Sequence, residues 1–292
     1  MNKKLKPFCI LIDSSFFNNN QFINKKDSLL IYLIYNSIII NEHAYLETCE
    51  NIKKIQLAKM LEDPSNNIST SQPNPELIKE KIQFLSKQYQ KIFIFTMPKK
   101  LSNETNQINR MFAEHKYPNI YVYNQFLGVY LSSQIIVNQA IKILNTNSEI
   151  QPEILFRKLR NIEEQMLLFL IPGNINRVKK SGRGSKIIEI INSFLRLKIL
   201  LKWNGKLSVV TASRTFKKLF KKIQQKLSHL DKDFNFQLYI IFSRFNKYKE
   251  IILKESNIFL KKIIIEKMPS TWNIHLGNDT IGFFIIPKKF ID

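Results

Sequence analysis

Short, uninterrupted apolar runs in the first half of the chain constrain its fold more than any other feature. Phe8–Ile12 ends in Asp13-Ser14-Ser15, Ile92–Phe95 ends in Thr96-Met97-Pro98, and Ile120–Tyr123 is a third run of this kind. Such runs read as strands buried on both faces, and the polar residues after them as loops at strand carboxyl ends. Between them lie stretches with helical spacing. Pro75–Tyr89 carries Leu77, Ile78, Ile82, Leu85 and Tyr89 with Lys and Glu between, and Val129–Leu144 has a similar pattern. Strand and helix alternate, which predicts an α/β unit with a largely parallel sheet. Ligands of such sheets sit beyond the carboxyl ends of the strands. That rule points to Asp13–Ser15 and Thr96.

The polar segment Asn145–Pro152 reads as a linker, giving domains at 1–148 and 149–292. The second half is expected to open with a helix around Glu153–Met166 and a strand at Leu167–Ile171, stopped by Pro172-Gly173. A basic loop, Lys179–Lys186, leads into the amphipathic stretch Ile187–Leu197. Lys198–Trp203 and Lys206–Thr211 flank Asn204-Gly205 as a β-hairpin. Phe216, Leu219, Phe220, Ile223 and Leu227 follow at helical spacing. Leu238–Phe242, Ile263–Ile265 and Phe283–Ile286 complete the strands, so this half should be α/β with a mixed sheet. Asn18–Asn20 reads as a loop.

Composition narrows the function. The 292 residues are 44% hydrophobic, enough for a sizeable core. The formal charge of +22 raises nucleic acid or an anionic membrane surface as partners. The chain is also rich in Lys, Asn and Ile, as AT-rich coding DNA would produce, and charge speaks to solubility rather than fold. Cys9 and Cys49 form no CxxC pair, and Cys9 lies in a buried run, which suggests a reducing, cytoplasmic setting. The longest apolar stretch, Leu29–Ile40, contains Asn36 and Ser37 and is too short to span a bilayer. The glycines form neither a P-loop nor a GxGxxG fingerprint. There is no GxSxG elbow and no HExxH. His43, His115, His229 and His275 are scattered, so neither a metal nor a cofactor is expected.

What remains is a set of polar segments, each with an ordinary structural explanation beside a functional one. Ser69–Asn74 precedes Pro75, with Asn74 as a helix N-cap; it reads as a capped loop or a binding loop. In Ile274–Asp279, His275 could donate to a carboxylate, and Gly277 lets the chain approach a ligand closely. Gly182-Arg183-Gly184-Ser185 opens a helix and could hold a phosphate or carboxylate, or be a solvated basic loop. Arg214 precedes a helix carrying Lys217, Lys218, Lys221 and Lys222, a solvated face or a docking face for an acidic partner.

Taken in order, these segments resemble the DegV family along nearly the whole chain. Ile10–Ser15 is similar to the family's first strand and Asp-Ser-Thr turn. Thr70-Ser71-Gln72-Pro73 matches its Thr-Ser-Gln-Pro motif letter for letter. Lys180–Arg183 is similar to the Gly-Gly-Arg loop with Ser181 in place of one Gly. Arg214 falls where the family carries a basic residue after its hairpin, and His275–Asp279 is similar to His-Val-Gly-Pro-Gly. The resemblance implies a two-domain DegV-like α/β protein, with an N-terminal parallel-sheet domain and a C-terminal mixed-sheet domain around a lipid tunnel. It implies a long-chain fatty acid whose carboxylate is presented to a separate ATP-dependent kinase, the acyl phosphate then entering phospholipid synthesis. The chain itself would be a binding subunit and not an enzyme. Thr70, Ser71, Thr96, Ser102, His275 and Gly277 would be carboxylate ligands, with Arg183 and Arg214 meeting the kinase or the acyl phosphate. Thr96 and Ser102 compete for one hydroxyl role, because Thr96–Thr105 departs from the family's Ser-Ser-x-Leu-Ser-Gly-Thr. The Asp-Ser and Gly-rich segment expected near Asn124–Ser132 is largely gone, and Asn278-Asp279 replaces Pro-Gly, adding a negative charge. Alternatives are a nucleic-acid-binding protein, a DegV-like protein with a different ligand, and a stand-alone enzyme; transient contact with a membrane surface is a further expectation.

Overall fold

The structure is a computed structural model that describes residues 5–16, 25–114, 117–181, 197–228, 235–243, 247–259 and 263–291. The expected loop Asn18–Asn20, His115, His229, Arg183 with its glycines, and most of the Ile187–Leu197 stretch lie outside the described residues. The chain divides into two compact units: 1–52 with 70–164, and 53–69 with 165–292.

The apolar runs of unit 1 become strands β1 (Lys6–Asp13), β6 (Tyr89–Thr96) and β7 (Ile120–Asn124). With β2 (Ile31–Ile34) they form a parallel sheet in the order β2-β1-β6-β7. Both faces of β1 and β6 are covered, which is why these strands show no alternation. Helix α1 (Pro75–Ser86) is capped by Asn74, whose side chain accepts Glu76 N–H at 2.9 Å, and starts on Pro75. It buries Ile78, Ile82 and Leu85 against Cys9, Leu11, Ile92 and Ile94. It stops before Tyr89, which joins β6 and meets Tyr32 hydroxyl to hydroxyl at 2.9 Å. Helices α2 (Glu104–Glu114) and α3 (Leu131–Thr146) follow. The apolar stretch Leu29–Ile40 is split: Ile31–Ile34 is β2, and β3 (Ser37–Ile40) turns away at Tyr35-Asn36 into a smaller sheet, β4-β3-β5. Asn41 and Glu42, both at positive φ, close the tight turn from β3 to β4 (His43–Leu46). The third strand, β5 (Ile68–Ser71), carries Thr70 and Ser71.

Helix α4 (Pro152–Glu163) differs from the expected boundary at residue 148. It packs on α3 and buries Leu155, Leu159 and Ile162 within unit 1, while residues 53–69 go with unit 2. A polar stretch in sequence marks a turn between helices, but packing decides to which core the next helix belongs.

Unit 2 is built on a six-stranded sheet in the order β10-β9-β8-β13-β11-β12. Its strands are β8 (Leu167–Ile171), β9 (Lys198–Trp203), β10 (Leu207–Ser213), β11 (Phe236–Phe242), β12 (Ile263–Lys267) and β13 (Ile281–Pro287). Only β11–β12 is parallel; the other pairs are antiparallel, so the sheet is mixed. The hairpin β9–β10 turns at Asn204-Gly205, with Gly205 at φ 76°. Helix α6 (Phe216–Ser228) and helix α7 (Lys249–Phe259) cover one face, where Phe216, Leu219, Phe220, Ile223 and Ile252 pack on Phe169, Leu238, Ile240 and Phe283. The other face meets Ile175 of α5 (Ile175–Lys180) and Leu276 of α8 (Ser270–Leu276). Among the described residues no helix is long and apolar enough to cross a membrane.

Candidate functional site

The carboxyl ends of β1, β6 and β7 carry a buried polar cluster, where a parallel sheet is expected to hold its ligands. Asp13, Thr96, Glu104, Ser132 and Ser133 are fully buried there. Asp13 Oδ1 accepts the Ser15 N–H at 2.7 Å and Asn36 Nδ2 at 2.6 Å. Asn36 Nδ2 also reaches Glu47 Oε2 at 3.1 Å, which takes the Ser14 hydroxyl at 2.8 Å. Thr96 Oγ1 lies 2.7 Å from Thr105 Oγ1 and 3.5 Å from the Tyr123 carbonyl. Thr105 in turn donates to Asn124 Oδ1 at 3.2 Å. The Thr96 hydroxyl is thus tied into the strand ends. Ser102 is half-buried, and its Oγ accepts Glu104 N–H at 3.2 Å, which starts α2 while leaving the hydroxyl proton to donate.

Thr70 and Ser71 are half-buried on β5, just before the loop Gln72-Pro73-Asn74. Gln107 of α2 donates Nε2 to the Pro73 carbonyl at 3.1 Å. Unit 1 therefore fastens the Thr-Ser-Gln-Pro segment to the helix that begins beside Ser102. Helix α4 fastens the next loop: Glu163 accepts Tyr123 Oη at 2.6 Å and the Phe126 and Leu127 N–H groups at 2.9 Å each, with Arg160 at 3.3 Å.

The electrostatics of this end are unusual for so basic a chain. Burial pushes the Asp13 carboxyl up, opposed by hydrogen bonds from Ser15 and Asn36. Glu104 is held well above the ordinary carboxylate range by burial and then by the charge of Asp13, with only the Met97 N–H, 2.9 Å from Oε2, pulling it back. Burial also raises Glu163, against the pull of Tyr123, the loop N–H groups and Arg160. The buried Cys9 thiol is pushed up to about 12 by desolvation, in keeping with a core residue. Among the described residues no group of three or more His, Cys, Asp or Glu side chains could hold a metal ion.

In unit 2, His275 sits half-buried in the last turn of α8, and Gly277 ends that helix at φ +88°. A Cβ at Gly277 would stand 2.6 Å from Asn174 Cβ and 2.7 Å from Asn174 N. Glycine is needed there for conformation and for space. Thr280 Oγ1 accepts the Gly173 N–H at 2.9 Å and lies 2.7 Å from the Gly277 carbonyl, closing the turn. Asp279, the added negative charge in this motif, is compensated: it lies 2.7 Å from Lys247 Nζ and accepts the Lys247 N–H at 3.2 Å. Arg214 is exposed between β10 and α6, and its carbonyl accepts Lys198 Nζ at 3.3 Å.

The model of the DegV family, described as uncharacterised proteins, matches residues 7–288. The chain belongs to the DegV family. Among solved structures, the fatty acid binding DegV family protein of Streptococcus agalactiae is similar to this DegV chain with a TM-score of 0.78 at 22% identity, over 98% of this chain and 100% of that one. A stearic acid-binding protein from Eubacterium ventriosum gives 0.77 at 18%, over 96% and 98%. DegV of Bacillus subtilis, a fatty acid binding protein, gives 0.74 at 18%, over 96% and 99%. No curated protein matches the chain by sequence. The expected α/β architecture, one parallel-sheet domain and one mixed-sheet domain, is the fold of these DegV structures.

Sequence reasoning missed three residues of this region. Glu104, Glu163 and Gln107 carry no role in the sequence reading. The signal for Glu104 was its place one residue before Thr105, in the segment that departs from the family's Leu-Ser-Gly-Thr. For Glu163 there was none, since its partners come from a loop far along the chain.

Proposed function

We propose that this chain binds one long-chain fatty acid in an apolar tunnel and presents its carboxylate to a separate ATP-dependent kinase, whose acyl phosphate feeds phospholipid synthesis. The observation that carries the reading is family membership across residues 7–288, beside relatives described as fatty acid binding. A buried carboxylate is costly without converging donors. The proposed ligands are Thr70, Ser71, His275 and Gly277 with one further hydroxyl. Ser102 is favoured over Thr96 for that role, because the Thr96 hydroxyl is fully buried and engaged with Thr105 and Tyr123. Compensation of Asp279 by Lys247 removes an objection to an anionic ligand near this motif. Arg214 is proposed to meet the kinase or the acyl phosphate, and Arg183 is given the same role by its motif alone. The chain is read as a cytoplasmic binding subunit without chemistry or cofactor of its own.

Mass spectrometry of an organic extract of the protein purified from cells tests the binding step. A stoichiometric long-chain fatty acid is expected, and it should be lost from a folded Thr70→Ala, His275→Ala double variant. An empty protein that also fails to take up added fatty acids would end the reading. Acyl phosphate formation from the loaded protein, dependent on an added kinase fraction and ATP, tests the handover.

A second reading, polyanion binding, draws on helix α6. Lys217, Lys218, Lys221 and Lys226 are exposed, and the helix carries no acid. A nucleic-acid probe whose shift weakens steeply with salt would support it.

A further inference from the structure

Unit 1 buries two carboxyl groups at the ends of neighbouring strands, and among the described residues neither is paired with a cation. Asp13 ends β1, one residue beyond the last β1–β6 pair, Ile12 with Phe95. Glu104 reaches back to the end of β6, where its Oε2 accepts the Met97 N–H at 2.9 Å. Both side chains are fully buried, and among the described residues nothing donates to the second oxygen of either, Asp13 Oδ2 and Glu104 Oε1. Among the described residues no Lys, Arg or His side chain bonds to either; the ion pairs lie at Lys91–Glu149, Arg160–Glu163 and Lys247–Asp279. Among the described residues Glu47 is also joined to Asp13, through Asn36, and it is a further carboxyl group and not a cation. The polar side chains bonded to one another at the end of β6, Thr96, Thr105, Asn124 and Gln125, are neutral.

Two like charges cannot both be kept in such a place without a large desolvation and repulsion cost. The donors decide which group stays charged. Asp13 has two on one oxygen, at 2.7 and 2.6 Å, and Glu104 has one. The positive end of α2 favours an anionic Glu104, but that is a smaller effect than burying a second charge.

We propose that Glu104 is held as a neutral acid beside an ionised Asp13, and that giving up its proton to solvent on alkalinisation releases the start of α2 together with the loop it fastens. The mechanical link is short. Glu104 is the first residue of α2, and Gln107, one turn on, holds the Pro73 carbonyl of the Thr70–Pro73 segment. The switch is a property of the fold and does not depend on the nature of the ligand. Its sign follows from linkage. A folded-state value above the unfolded one means stability that is fully present below the unfolded value and is lost as pH rises through the folded value.

The test compares the full-length wild type with Glu104→Gln, which keeps an oxygen for the Met97 N–H. In the wild type the thermal midpoint should fall by several degrees from neutral to alkaline pH. Amide exchange, corrected for its intrinsic pH dependence, should lose protection across residues 70–75 and 97–107 in the same range. Glu104→Gln should show neither change. Identical pH profiles for the two proteins would overturn the proposal, as would recovery of the wild-type midpoint at alkaline pH on adding a metal cation, since the pair would then hold an ion. If Glu104→Gln does not fold, infrared spectroscopy decides. A protonated-carboxyl band of the wild type should disappear on alkalinisation, and Asp13→Asn should move that disappearance to lower pH; a band that Asp13→Asn leaves in place refutes the coupling.

Discussion

Gly277 and Glu163 each hold a turn, one by lacking a side chain and the other by the oxygens it presents. At Gly277 the backbone is at φ +88° and the space for a Cβ is taken by Asn174. Gly277→Ala should therefore cost about 1–3 kcal/mol, read as a lower denaturant midpoint, from backbone strain and displacement of Asn174. Glu163 presents its oxygens to Tyr123 Oη and two backbone N–H groups, all within 2.9 Å. In Glu163→Ala both loop N–H groups lose the one oxygen they share, and the Tyr123 hydroxyl loses the other. A loss of about 2–4 kcal/mol is expected in equilibrium unfolding, with enhanced exchange at Phe126 and Leu127. Both residues are single letters in unremarkable surroundings. His275-Leu276-Gly277 was legible as a motif, yet the reason for the glycine is a contact with a residue a hundred positions earlier in the chain. Glu163 was not legible at all.

Among the elements, helix α6 separates its two roles by face. Phe216, Leu219, Phe220, Ile223 and Leu227 enter the unit 2 core, and the lysines between them face solvent. This follows from the spacing in the sequence, because a helix brings residues three and four apart onto one side. Phe220 is fully buried and meets Phe283 edge to face at 5.6 Å. Phe220→Ala should cost about 3–5 kcal/mol, measured by chemical denaturation. Replacing Lys217 and Lys221 by Gln should leave stability within about 0.5 kcal/mol, since neither packs in the core. Strand β5 shows the opposite case. Thr70-Ser71 reads locally as a loop, and its strand character arises only from a place in the sheet β4-β3-β5.

At the scale of the whole molecule, ligand and stability are linked. If the proposed fatty acid binds the native chain alone, a concentration of about 100 times its Kd adds about 2.7 kcal/mol, and the unfolding midpoint should rise with added lipid. A midpoint that does not respond to oleate or stearate, in protein first stripped of lipid, would contradict binding. What the sequence determined by itself is local. Continuous apolar runs become buried parallel strands, helical periodicity yields α1, α3 and α6, and Asn204-Gly205 makes a hairpin, because hydrophobic spacing and turn chemistry act between near neighbours. Helix starts such as Asn74-Pro75 are legible for the same reason. Tertiary structure alone decided which core receives Pro152–Glu163, that Leu29–Ile40 splits between two sheets, and that Asp13 and Glu104 are both buried at the ends of neighbouring strands. Those outcomes depend on pairing and packing between residues far apart in the chain, and on the cost of burying charge. Neither leaves a mark on composition or spacing.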